Sequence, residues 1–223
     1  MTYVMSDLHG NYQKYLAMLE KISFSDNDIL YVLGDILDYG DESMELIADL
    51  SVRLNVYPVA GEHDFLAARM LKGFDSMLKS GASPDPEYIA EMTQWVQNGG
   101  QTTLEGFRAL DEEQREGVLE YLEDMTLFEE VTVNGEDYVL LHAGIADYSA
   151  DANLEDFLPE DFFSEPIDPA YPLMEDCTVI AGHQPTKSGK IERGEGCILI
   201  DCGVCEGGEL GCLCLETGKE YYV

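Results

Sequence analysis

Three times within the first 64 residues an apolar run breaks off into a polar, glycine-bearing motif, and this rhythm restricts the fold more than any single residue does. Thr2-Tyr3-Val4-Met5 leads into Ser6-Asp7-Leu8-His9-Gly10, and Ile29-Leu30-Tyr31-Val32-Leu33 leads into Gly34-Asp35. Asn55-Val56-Tyr57-Pro58-Val59-Ala60 leads into Gly61-Glu62-His63-Asp64. The stretches between carry helical periodicity: Tyr15, Leu19 and Ile22 share a face, and Asp41 is placed to cap a helix through Met44, Ile47 and Ala48. Strand–helix–strand–helix–strand at a spacing of about 27 residues predicts an α/β arrangement of parallel strands with right-handed crossovers.

Residues 65–127 read as helix throughout. Leu66, Met70, Phe74 and Met77 share a face, and Asp111-Glu112-Glu113 opens a helix carrying Leu119 and Leu122. Asn98-Gly99-Gly100 breaks the chain between two helices. Strands return at 128–133 and 138–141, joined by an Asn134-Gly135 hairpin turn. Further strands at 177–181, 197–200 and around Leu213 and Tyr221 complete a second, more antiparallel set. Between them, 146–176 is rich in Asp, Glu and Pro, with Phe157, Phe162 and Phe163 expected to pin this long loop to the body. No flexible linker separates the halves, so 1–223 is expected to form one domain with a helical insertion at about 65–127.

Composition excludes several classes. Lys+Arg number 12 and Asp+Glu 45, a net charge of −33, which repels phosphate backbones and anionic membranes. No apolar run approaches the ~18 residues that cross a bilayer. Met1 leads straight into an apolar run without the basic start of a signal peptide, so a cytoplasmic globular protein is expected. The six cysteines, Cys177, Cys197, Cys202, Cys205, Cys212 and Cys214, crowd the C-terminal end, unlike a secreted disulfide scaffold. Cys202-x-x-Cys205 with Cys212-x-Cys214 could form a zinc knuckle, but the unequal spacings favour Cys212 and Cys214 as small hydrophobes on one face of a strand. The stretch 116–186 lacks Lys and Arg altogether and reads as a solvated acidic face, with a docking surface for a basic partner as the alternative.

The histidines number four, and each follows an apolar run: His9, His63, His142 in Leu141-His142-Ala143-Gly144, and His183 in Ala181-Gly182-His183. In an α/β sheet that is where ligands bind. Joined by Asp7 and Asp35 at equivalent strand ends, they predict a metal site. Imidazole mixed with carboxylate suits manganese, iron or zinc better than the oxygen shells of calcium or magnesium. So many candidate ligands exceed one tetrahedral site, and two ions fit better than one. A carboxylate between cations roughly 3.5–4 Å apart would trap a water and lower its pKa toward neutrality, giving a hydroxide nucleophile. The cations would also let so acidic a chain accept an anionic substrate.

Asp7-x-His9-Gly10, Gly34-Asp35-x-x-Asp38-x-Gly40, Gly61-x-His63-Asp64, His142-Ala143-Gly144 and Gly182-His183-x-Pro185-Thr186, in that order, resemble the signature of calcineurin-like metallophosphoesterases, and within them the bacterial phosphoprotein-phosphatase (serine/threonine) type. The resemblance runs from Asp7 to Ile200-Asp201-Cys202-Gly203. It implies two packed mixed β-sheets flanked by α-helices, a four-layer sandwich, with two divalent or trivalent metal ions at the strand ends, manganese ahead of iron or zinc. Asp7, His9 and bridging Asp35 would hold one ion; Asp35, Glu62, His142 and His183 would hold the other. His63 would be the general acid oriented by Asp38, and a metal-bridging hydroxide would hydrolyse a phosphomonoester, such as a phosphoserine, phosphothreonine or phosphotyrosine protein. The alternatives are a dinucleoside polyphosphate hydrolase and a weakly active, metal-binding pseudo-phosphatase. The expected partner is a phosphorylated substrate, protein or small molecule, with no nucleic acid and no membrane.

Three positions depart from the family pattern. Glu62 stands where the family has Asn, which adds a negative charge and removes an amide donor. Tyr39 and Ala60 stand where phosphatases of the family carry Arg, and each lost charge-assisted bond is worth about 1.5–3 kcal/mol. Tyr39 and Lys187 are then the candidate substrate contacts, Lys187 being otherwise a solvated loop lysine. The segment from Trp95 to Thr103 either shapes the rim of the site or is a helix break with a threonine cap. Replacing Glu62 by Asn is predicted to weaken metal retention while raising turnover. Metal content after dialysis, measured alongside kcat, checks this, and slower turnover at unchanged metal content would contradict it.

Overall fold

The computed structural model describes residues 1–163 and 165–223. The first half follows the predicted rhythm: β1 (Thr2–Met5), α1 (Tyr12–Ile22), β2 (Ile29–Leu33), α2 (Ser43–Leu50) and β3 (Val56–Val59). β1 pairs in parallel with β2, and β2 with β3. Four helices follow: α3 (Glu62–Ser80), α4 (Pro86–Trp95), α5 (Gln101–Ala109) and α6 (Glu112–Glu123). Asp111 caps α6 as expected, accepting from Gln114 N while the Gln114 side chain accepts from Asp111 N. The Asn98-Gly99 break is real, with Gly99 at φ 99° between α4 and α5. The second half contains β4 (Phe128–Val133), β5 (Glu136–Leu141), β6 (Thr178–Ala181), β7 (Glu192–Arg193), β8 (Cys197–Leu199), β9 (Gly211–Cys214) and β10 (Glu220–Tyr222). Asn134 and Gly135 both take positive φ, the demand of a tight hairpin.

Two expectations need correction. The last two strands do not join the second set. β9 lies antiparallel to β1 and extends the first sheet, whose order is β10-β9-β1-β2-β3. The second sheet, β4-β5-β6-β8-β7, is parallel at its centre (β5, β6, β8) and antiparallel only at its edges. β9, buried on both faces, gives no alternation from which direction or partner could be read, and β10 is only three residues long. Asp41, moreover, does not cap α2. The helix begins at Ser43 and buries Ser43, Leu46, Ile47 and Leu50, leaving Ala48 exposed.

Packing follows from the strand period of two. In β1, Tyr3 and Met5 face the helices, in a core with Tyr15, Met18, Ile47, Met70 and Trp95. Val4 faces the other way and meets Leu33, Leu140, Ile180 and Ile198 between the sheets. Cys212 and Cys214 pack into the helix-side core as small hydrophobes. The outer face of the second sheet is covered by the long loop: Phe162 and Phe163 join Val139, Leu141, Val179 and Leu199. Phe162 stacks on Phe128 at 5.9 Å, and Phe163 meets Phe65 at 5.1 Å. Among the described residues no helix is long and apolar enough to cross a membrane. Because Phe162 is fully buried, Phe162→Ala should lower unfolding stability by about 3–5 kcal/mol in urea denaturation. A loss under about 1 kcal/mol would show that the loop is not held by this side chain.

Candidate metal centre

The parallel strands deliver their C-terminal loops to one edge, and the chain folds sharply there. Asp7, His9, Asp35, Asp38, Tyr39 and His183 all adopt left-handed φ, between 42° and 70°. Each such non-glycine residue costs of order 1–3 kcal/mol and persists only where its surroundings dictate it. Here the loops dictate one another. Asp7 N donates to Gly34 O at 3.0 Å, His9 N to Asp35 O at 2.8 Å and Gly10 N to Ile36 O at 2.8 Å. Gly182 N donates to His142 O at 2.9 Å, and His183 N reaches the Asp7 carboxylate at 3.1 Å. Motif glycines permit these approaches: a Cβ on Gly61 would collide with the Asp35 side chain, and one on Gly182 with the Asp7 carboxylate.

Two groups of ligand atoms result, each lying within 4.8 Å of one another: Asp7, His9 and Asp35, and Asp35, His142 and His183. Asp35 belongs to both. The ring Nδ1 of His9 donates to Leu37 O, and that of His142 to Leu33 O, each at 3.0 Å. This arrangement fixes the tautomer and turns each Nε2 inward. His9 Nε2 stands 3.6 Å from Asp35 Oδ2, and His142 Nε2 stands 3.4 Å from Asp35 Oδ1. His142 Nε2 is buried with no hydrogen-bond partner among the described residues. A buried, unpaired acceptor is costly unless something accepts its lone pair, and a cation does so. The donor set therefore fits metal ions.

Electrostatics point the same way. Burial, with the nearby carboxylates of Asp201 and Asp35, holds Asp7 well above the ordinary range. Burial pushes the His9 and His142 imidazoles down, keeping them neutral as ligands must be. Asp35 is also pushed up by burial, yet His142, His9 and His63 outweigh that and hold it below the usual range. Crowding of buried carboxylates thus favours a proton on Asp7, which a bound cation would replace.

Beside these groups, His63 Nδ1 lies 2.8 Å from Asp38 Oδ2. Burial pulls this imidazole down, but the bond to Asp38 and the charge of Asp35 prevail and raise it to about 9. Other predicted positions fall outside the two groups. Glu62 is exposed in the first turn of α3, and Lys187 is exposed on a turn after Thr186. Ala60 is buried against the second sheet's outer core. Tyr39 stands at the rim, 45% exposed, its ring 5.0 Å from His9 and 5.2 Å from His63.

Sequence reasoning gave no role to Asp64, Asp201 or the indole of Trp95. Asp64 is buried and accepts from Ile36 N, Leu37 N and Gly61 N at 3.0–3.1 Å, tying the loop after β2 to the start of α3. Burial and the charge of Asp35 raise it to about 7. Its signal was an acidic residue at the third position of a helix. Asp201 lies buried near Asp7 and accepts from Gly203 N at 2.8 Å. It ends an apolar run as Asp7 and Asp35 do. Trp95 Nε1 donates to Asp38 Oδ2 at 2.8 Å.

Comparison with known proteins accords with this geometry. The family model of calcineurin-like phosphoesterases matches residues 2–205. A symmetrical bis(5'-nucleosyl)-tetraphosphatase from Buchnera aphidicola is 33% identical over 103 residues, 43% of this chain, and the matched stretch spans 36% of that protein's length. The crystal structure of a candidate diadenosine tetraphosphatase superposes on the whole chain and 92% of its own, with a TM-score of 0.66 at 16% identity. A protein serine/threonine phosphatase from Saccharomyces cerevisiae superposes on 97% of this chain and 73% of its own, with a TM-score of 0.59 at 15% identity. These two likenesses are of fold.

Two outcomes follow from the geometry. Gly182→Ala should displace the Asp7 carboxylate and reduce bound metal at least several-fold by elemental analysis, while circular dichroism stays native; full metal content would contradict it. In metal-free protein, the His63 ring should titrate by NMR near 9, and Asp38→Asn should move that midpoint down. A midpoint at or below 6.5 in the unsubstituted protein would show that Asp38 does not hold the proton.

Proposed function

The chain belongs to the calcineurin-like phosphoesterase family, and on that footing we propose that it is a metal-dependent phosphohydrolase whose preferred substrate is a dinucleoside polyphosphate. What carries the substrate choice is the stretch shared with the symmetrical bis(5'-nucleosyl)-tetraphosphatase. The exposed ring of Tyr39 at the rim supports it, since an aromatic face where an arginine fork is missing suits a stacked base better than a bare phosphomonoester. This order reverses the one expected from the sequence, which put phosphoproteins first.

Asp7, His9 and Asp35 would hold one ion, and Asp35, His142 and His183 the other, with manganese, iron or zinc matching the mixed imidazole and carboxylate donors. When bound, such a pair supplies positive charge to the phosphoryl oxygens and acidifies a water. The chain's own residues do the rest. Asp35, shared by both groups, sets their separation. His63, kept protonated through neutral pH by Asp38, donates its proton to the departing oxygen. Asp64 holds the loop that carries Asp38 against the helix that carries His63. Glu62 would need to swing inward from solvent to add its carboxylate to the second group.

Purified protein loaded with manganese should cleave diadenosine tetraphosphate faster than 4-nitrophenyl phosphate or a phosphoserine peptide, judged by kcat/KM. His63→Ala should lower kcat by about 10²–10⁴-fold, the usual contribution of a general acid. A phosphopeptide cleaved faster than the dinucleotide would restore the original order of substrates. No turnover of any of the three despite stoichiometric metal would replace the enzyme with a binding protein.

A further inference from the structure

The helical insertion reaches the site at Asp38 and Tyr39, and at Asp38 it holds the carboxylate itself. Asp38 has no exposed surface. Both donors to its carboxylate bind the same atom, Oδ2: His63 Nδ1 at 2.8 Å and Trp95 Nε1 at 2.8 Å. Oδ1 has no partner among the described residues. Left with His63 alone, a carboxylate bound through one oxygen could pivot about that bond and let the imidazole swing with it. The indole adds a second bond to that same oxygen from a different direction, which fixes where Oδ2 stands.

The turn between α4 and α5 is shaped to make this contact. Asn98 and Gly99 leave helical geometry, so the last residue of α4 and the first turn of α5 both face the loop after β2. Thr103 Oγ1 accepts from Asp38 N at 3.0 Å, and Gly99 O accepts from Tyr39 N at 3.0 Å. The insertion thus grips the two consecutive residues Asp38 and Tyr39, both at left-handed φ (70° and 64°), by backbone and by side chain. Trp95 is 1% exposed, and its ring lies so close to Gly100 that a Cβ there would collide with it. An indole N–H can only donate and does not titrate, so it can hold a carboxylate without exchanging protons with it.

We infer that Trp95 is a positioning residue, whose indole N–H locks the Asp38 carboxylate so that His63 presents its free ring nitrogen to the leaving oxygen. This rests on the phosphohydrolase reading above and makes assembly of the proton donor depend on a docked insertion. Trp95 acts through His63, so its removal should matter in proportion to how much the leaving group needs a proton. A structural role would slow all substrates alike.

The test uses manganese-loaded protein and two monoesters, phenyl phosphate (a poor leaving group) and 4-nitrophenyl phosphate (a good one). Trp95→Phe keeps an aromatic ring and removes the donor. It should lower kcat for phenyl phosphate roughly tenfold or more, a part of the 10²–10⁴-fold contribution of a general acid, and widen the ratio between the two esters at least about threefold. In a His63→Asn background the same substitution should leave that ratio unchanged. Should Trp95→Phe not fold, Gly100→Ala, which pushes the indole from its seat, should widen the ratio likewise. A readout independent of turnover comes from the single tryptophan, which gives one indole ¹⁵N–¹H cross-peak. Asp38→Asn should move that peak in metal-free protein. Equal slowing of both esters, or an indole peak indifferent to Asp38→Asn, would overturn the assignment. Wild-type protein inactive on both esters and on diadenosine tetraphosphate would overturn the phosphohydrolase reading and with it this role, while the cross-peak would still report the contact.

Discussion

The buried carboxylate of Asp35 is the constraint on which the rest of the structure depends. It stands two residues beyond β2, takes an unfavourable φ of 50°, and faces His9 with one oxygen and His142 with the other. Its backbone carbonyl anchors His9, and its Oδ1 accepts from His63 N at 3.0 Å, so the loops of His9 and His142 and the start of α3 all meet it. Gly61 has no side chain because one would occupy the space of this carboxylate. An anion so enclosed needs the imidazoles around it, and its place in both ligand groups is where bound cations would offset its charge.

A second dependence runs outward, from the site to the helices. The loop after β2 is held at its start by Asp64 from α3, and at Asp38 and Tyr39 by the turn between α4 and α5. The insertion therefore packs the core and shapes the site at once. Its buried side chains, Met70, Trp95 and Phe107, join the cluster beneath the first sheet. Hydrophobic burial fixes the insertion's place, and a few directed hydrogen bonds convert that place into the orientation of Asp38 and His63. The long-range field acts differently. A net charge of −33 repels phosphate at a distance, so attraction to an anion must arise locally, from whatever cations occupy the two ligand groups.

Much of this was legible along the chain. Gly and Asp or His directly after an apolar run marks a strand end, and the ordered motifs that resemble the phosphoesterase signature bring strand ends of both sheets together. Asp7, His9, Asp35, His142 and His183 could therefore be assigned to one site without coordinates. The longer strands were read to within a residue or two, because β-branched and aromatic runs bounded by Gly, Asn and Asp leave little choice, but the two-residue β7 (Glu192–Arg193) has no apolar run and was missed. The partnering of β9 with β1, across more than two hundred residues, was not legible, because nothing in a buried strand records which neighbour completes its hydrogen bonds. Nor was the α2 start: Asp41 qualifies as a cap by type, yet the helix begins at Ser43 with no side-chain cap bond.

The amino-acid order by itself determined which side chains can ligate, that they stand at strand ends, and that the middle of the chain is helical, because these follow from residue type and local period. Only the tertiary structure decided that the Glu62 side chain is exposed to solvent outside both ligand groups, and that an indole from a distant helix seats the partner of His63. Those outcomes depend on directions in space between segments far apart in sequence, which are set by how sheets and helices pack and by no pattern a single stretch carries.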